Sequence, residues 1–175
     1  MACNVYILGA TGLAKADILA SDPFCLVYWR DELVHRTAVQ PKTLEPVWDE
    51  QVELASEAAL AACGLEGELR VEIWDHDETA GDSESDFLGC ARVEYDYDGE
   101  QHAGFVRVPL TEKPGLAAEV AITGALTLVI GDEAMYRAHR AAHPQARRSF
   151  LSASLSASRT KPSLASPSRA PRRCS

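Results

Sequence analysis

The sequence predicts an all-β fold: an eight-stranded antiparallel β-sandwich in a Greek-key arrangement, with one short helix and a disordered basic C-terminal tail. Three observations lead there. The first 130 residues read as short apolar segments separated by turn-forming and polar stretches. Strands do not alternate with long helical patterns, which argues against a parallel α/β sheet. The charge is also divided along the chain, which sets the tail apart from the folded part.

The strands follow in order. Asn4–Leu8 is the first. Phe24–Arg30 is rich in aromatic and β-favouring residues, Asp31-Glu32 reads as a tight turn, and Leu33–Val39 returns. In Val47–Leu54, Val47, Asp49, Gln51 and Glu53 alternate with Trp48, Glu50, Val52 and Leu54. Leu69, Val71 and Ile73 alternate with Arg70, Glu72 and Trp74, the pattern of a half-buried strand. Phe87–Glu94, Gly104–Leu110 and Ala125–Ile130 complete the set. Ser56–Cys63 reads as the helix: Ser56 is placed to cap it, alanines fill it and Gly64 ends it.

Residues 1–133 carry eight basic against 26 acidic side chains, a net of −18, whereas 134–175 carry nine basic and no acidic ones, a net of +9. We therefore expect a domain over 1–133 and a basic tail over 134–175. Asp132–Ala142 is a candidate helix whose acidic first residues suit its positive end. From about Ala146, Ser, Ala, Arg and Pro leave too little apolar surface to offset the entropy of ordering. A domain of −18 repels nucleic-acid phosphate, so no nucleic-acid partner is expected. No apolar run reaches the ~20 residues of a membrane-spanning helix. The five scattered cysteines, with no Cys-x-x-Cys pair, read as reduced thiols of a cytoplasmic protein. The five histidines lie outside any nucleophile or zinc motif, so the sequence does not read as an enzyme.

Two loops concentrate carboxylates. Lys15–Asp22 holds Asp17 and Asp22; Asp75–Asp86 holds six acids in twelve residues and neither Lys nor Arg. Hard divalent cations ask for such a supply, since Ca2+ takes about 6–8 oxygen ligands. Asp75 and Asp77 fall on one side of an extended segment, with the side chain of His76 turned away and its carbonyl within reach of the same ion. The competing reading is a solvated acidic loop. Convergence would favour a counter-cation, because like charges at ~4 Å repel by ~1 to ~4 kcal/mol.

Four ordered motifs carry a family resemblance: Ser21-Asp22-Pro23-Phe24 after Leu13 and Asp17; Thr43-Leu44-Glu45-Pro46-Val47-Trp48 after Thr37; Ile73-Trp74-Asp75-His76-Asp77; and Asp86-Phe87-Leu88-Gly89. Together they resemble the C2 domain, a calcium- and phospholipid-binding β-sandwich, over roughly Cys3–Gly131. The strand at 124–130 resembles the circularly permuted, type II topology. The resemblance implies Ca2+ held by Asp17 and Asp22 from one loop and by Asp75, Asp77 and Asp86 from the other. The first loop is one residue shorter than is common in the family and the second three longer, so Asp82 or Ser83 is an alternative or additional ligand to Asp86.

It also implies a calcium-gated contact with anionic, phosphatidylserine-like membranes by a monomeric protein that moves from cytoplasm to membrane surface. Ile18 and Leu19 would dip into the headgroups, or pack beneath their loop. The tail arginines, Arg147 and Arg148 among them, would meet a leaflet at about −30 mV, fold back on the domain, or keep the tail soluble. The alternative is a calcium-independent protein-interaction module of the same fold.

Overall fold

The computed structural model describes residues 3–14, 21–56, 58, 66–76, 86–95, 104–116 and 121–142. Within them run eight strands and one helix: β1 (Cys3–Thr11), β2 (Pro23–Trp29), β3 (Glu32–Arg36), β4 (Val47–Ala55), β5 (Gly67–Asp75), β6 (Asp86–Tyr95), β7 (Gly104–Pro109), β8 (Ala125–Ile130) and α1 (Glu133–Ala142). The helix expected over Ser56–Cys63 lies outside the described residues except for Ser56 and Ala58, and so does the tail beyond 142.

The strands form two four-stranded sheets, ordered β4-β1-β8-β7 and β3-β2-β5-β6. All pairings are antiparallel. The first and last strands thus lie side by side. Alternation decides which residues fill the space between the sheets. Val5 and Ile7 of β1, Val27 of β2, Leu69, Val71 and Ile73 of β5, and Leu126, Leu128 and Ile130 of β8 all enter the core, each essentially inaccessible. Each such side chain contributes roughly 1.5–3 kcal/mol through burial. Trp48, Val52 and Leu54 of β4 close one side. Cys3, Cys25 and Cys90 are free buried thiols, as the scattered spacing predicts.

Connections are fixed by specific chemistry. The β2–β3 turn falls on Arg30-Asp31, one residue earlier than the sequence suggested, with both residues at positive φ (51° and 65°). Arg30 is held there by its Nε donating to the Glu66 carbonyl (2.8 Å) and by its guanidinium lying over Trp29. The strand expected over Leu33–Val39 ends at Arg36, because Thr37 turns inward: its Oγ1 accepts from the Cys25 amide at 2.8 Å, and it is 4% exposed. At Gly9 a Cβ would lie 2.5 Å from the Pro46 carbonyl oxygen, so the close approach of β1 to the start of β4 requires glycine.

Candidate functional site

The site is assembled by strand ends. β2 begins where β5 ends: Pro23 pairs with Asp75. β6 begins beside the same residue, Asp75 pairing with Asp86. Asp22, Asp75 and Asp86 therefore stand at one end of the second sheet although 53 and 11 residues separate them along the chain.

Asp22 is clamped on three sides. Its amide donates to Asp75 Oδ1 at 2.6 Å, and its carbonyl accepts from the His76 amide at 3.0 Å. Its own Oδ1 accepts from the Lys42 amide at 2.5 Å. The Pro41-Lys42 turn that supplies this donor is tied down by Gln40 donating to the Pro23 carbonyl and Thr43 to the Ser21 carbonyl. Lys42 sits at a φ of 55°, and this left-handed backbone is what aims its N–H at Asp22. Asp75 is only 6% exposed, so its carboxylate lies at the floor of the strand end, while Asp86 is half-buried. The His76 ring packs edge-on to Phe24 at 6.2 Å.

Below the carboxylates the outward face of the same sheet carries an ion-pair cluster. Glu72, fully buried, lies between Arg70 and Lys113, with Lys113 Nζ 2.9 Å from Oε1 and Arg70 Nε 3.2 Å from it. The Oε1 contacts are ion pairs without hydrogen-bond alignment; the directed bonds go to Oε2, from Lys113 at 3.1 Å and from Trp74 Nε1 at 3.3 Å. Trp74 also meets Phe87 edge-on at 5.1 Å, so the residues preceding Asp75 and following Asp86 are packed on each other. Arg36 covers Phe24 at 4.3 Å and Arg70 covers Tyr28 at 4.4 Å. These cations occupy aromatic faces and, for Arg70 and Lys113, an internal carboxylate.

Of the residues proposed from sequence, Asp22, Asp75, His76 and Asp86 are set by strand register at the same end of the sheet. Asp17, Asp77, Asp82, Ser83, Ile18, Leu19, Arg147 and Arg148 lie outside the described residues. Among the described residues no three His, Cys, Asp or Glu side chains are grouped closely enough to hold a metal ion. The donors present are carboxylates, the chemistry a hard cation requires, so they fit Ca2+ in kind. The Lys42 amide and the Arg70–Glu72–Lys113 cluster were not anticipated. Pro41 is a turn signal, but a lysine at positive φ after it has no composition cue.

A profile of the C2 domain matches residues 1–113, well over half of the chain, and the chain belongs to the C2 domain family. Two curated relatives, RasGAP-activating-like protein 1 of Homo sapiens and of Mus musculus, are each 38% identical over 85 residues, 48% of this chain. The matched stretch spans 10% of each relative's length. Among solved structures, the C2A domain of plant extended synaptotagmin 1 superposes with a TM-score of 0.56 at 17% identity, over 73% of this chain and 90% of that one. The C2A and C2B domains of extended synaptotagmin 2 give 0.53 at 20% identity, over 73% of this chain and 39% of that one. The two solved structures share the fold, the eight-stranded sandwich expected from the sequence. Among the described residues no helix is long and apolar enough to cross a membrane.

Proposed function

We propose that this chain is a calcium-dependent membrane-binding module and not an enzyme. Asp22, Asp75 and Asp86, together with Asp17, Asp77 and Asp82 or Ser83 of the two loops, would hold the ion, and the surface bound would be an anionic, phosphatidylserine-like leaflet. The observation that supports this reading is the strand register that sets Asp22, Asp75 and Asp86 at one sheet end, with the Asp22 amide donating to Asp75 Oδ1 at 2.6 Å. Backbone donors from Lys42 and Asp22 orient two of the carboxylates in advance, so less conformational entropy is lost when a ligand is gripped.

Bound Ca2+ would supply positive charge and coordination positions for lipid oxygens at an end that is otherwise repelled by the leaflet. Contact is then electrostatic and salt-sensitive, since the Debye length is only about 8 Å at physiological ionic strength. The outward face below adds little basic attraction, because Glu72 and Asp31 together neutralise Arg70 and Lys113 there. In this reading the protein is a monomer that is cytoplasmic at rest and peripheral to the membrane when calcium rises.

Sedimentation with phosphatidylserine vesicles tests it. Pelleting that requires calcium and reverses with chelator is expected. Equal pelleting in chelator would overturn calcium dependence, and no pelleting in either condition would leave the protein-interaction module as the better account.

A further inference from the structure

The face of the first sheet that points away from the core carries an unusual burden. Gln51, Tyr6, Val129 and Phe105 are successive Cα partners across β4, β1, β8 and β7, so they form one row. Val5, Ile7, Leu128 and Ile130, their neighbours along the strands, belong to the inner core, which places the row on the opposite side. Even so, Val129 is fully buried and Tyr6 is 3% exposed.

What covers them is α1. Tyr136 stacks on Tyr6 with ring centroids 4.1 Å apart, and His139 stacks on Phe105 at 4.4 Å. Tyr136, His139 and Arg140 share one helix face by their spacing. The same face reaches β4: the Tyr136 hydroxyl donates to Asp49 Oδ1 at 2.7 Å, while Arg140 donates to the Tyr136 oxygen at 2.7 Å and pairs with Asp49 Oδ2. Asp49 itself stands at a φ of 54°.

Three features show that this cover is marginal. No residue of α1 is itself buried. Its closure leaves the Tyr6 hydroxyl buried with no hydrogen-bond partner among the described residues, a desolvation that nothing offsets. A ten-residue helix is also too short to persist in water unaided.

We propose that α1 is a releasable latch: it is held shut at Asp49 by Tyr136 and Arg140, and it opens as a unit while the sandwich stays folded. Opening hydrates the Tyr6 hydroxyl and uncovers Tyr6 and Val129, which with Phe105, already 51% exposed, form an apolar row. The helix, like β8, lies beyond the 1–113 stretch that matches the family profile.

Native-state hydrogen exchange on the full chain tests the latch. Amides of residues 137–142 are expected to exchange at least a hundredfold faster than the β1–β8 ladder, and with a much weaker denaturant dependence. Asp49→Asn tolerates positive φ but removes the charge, and it is expected to speed exchange in α1 about tenfold or more while leaving β2 and β5 unchanged. Arg140→Gln, which alters only the helix, is expected to act in the same direction. Tyr6→Phe keeps the stack and deletes the stranded hydroxyl, so it is expected to slow α1 exchange about fivefold or more. Three results would each overturn the proposal: α1 amides that exchange together with the β1–β8 ladder, variants at 49 and 140 that leave α1 exchange unchanged, or a Tyr6→Phe chain whose helix opens as readily as before.

Discussion

Replacing Glu72 by Gln isolates the cluster that supports the site. The substitution keeps side-chain shape and an acceptor for Trp74 Nε1, but it removes the charge that Arg70 and Lys113 share. Breaking a fully buried pair costs about 3–5 kcal/mol. Here the Arg70 side chain is 16% exposed and Lys113 is 33% exposed, so both cations recover part of their hydration. The expected loss is therefore about 2–3 kcal/mol. Lys113→Gln leaves Arg70 on the buried carboxylate and is expected to cost about 1 kcal/mol, with a coupling between the two substitutions of similar size. Urea titration of the four chains of this cycle gives each number, and Tm should fall by about 2–4 °C per kcal/mol. High salt should leave the loss largely intact, since buried pairs are poorly screened. A Glu72→Gln chain within about 0.5 kcal/mol of the parent would refute the reasoning and make the cluster an ordinary surface pair.

Further outcomes follow from single contacts. Thr37→Val keeps the shape but strips the acceptor from the buried Cys25 amide, and equilibrium unfolding should show a loss of about 1–3 kcal/mol. Gly9→Ala sets a methyl 2.5 Å from the Pro46 carbonyl oxygen and should destabilise by about 1–3 kcal/mol, read in the same assay. Burial pushes the Tyr95 phenol up to about 12 from an ordinary 10.0. The unfolded chain thus releases that proton first, so this contribution to stability is complete below pH 10 and disappears as the pH rises towards 12. Unfolding midpoints measured across that range should fall more steeply for the parent than for Tyr95→Phe. Burial likewise raises the Cys25 thiol well above its usual range, so a thiol reagent at pH 8 should modify it only after unfolding.

The fold was legible because alternation and burial coincide. Leu69, Val71 and Ile73 against Arg70, Glu72 and Trp74 gave β5 its inner face, and the apolar run at 125–130 became β8 at the same bounds. The β2–β3 turn shifted by one residue because Arg30 is held by Glu66 and Trp29, contacts that no local pattern announces. The meeting of Asp22, Asp75 and Asp86 was legible only through the order of motifs, since composition does not state register. Its supports were not legible: the Lys42 amide depends on a left-handed lysine, and Glu72 read as a solvent-facing strand residue until Lys113 reached it from 41 positions away. The docking of α1 was hidden for the same reason, as Tyr6 and Tyr136 lie at opposite ends of the folded chain.

The central claim is that aspartates from distant parts of the chain grip one cation. Calorimetric titration of the full chain with CaCl2 tests it most directly, beside a chain carrying Asp75→Asn and Asp77→Asn. The account predicts saturable binding by the parent, a melting temperature that climbs with free calcium, and neither effect in the substituted chain. A parent that shows no heat and no shift in melting temperature at millimolar calcium would contradict it.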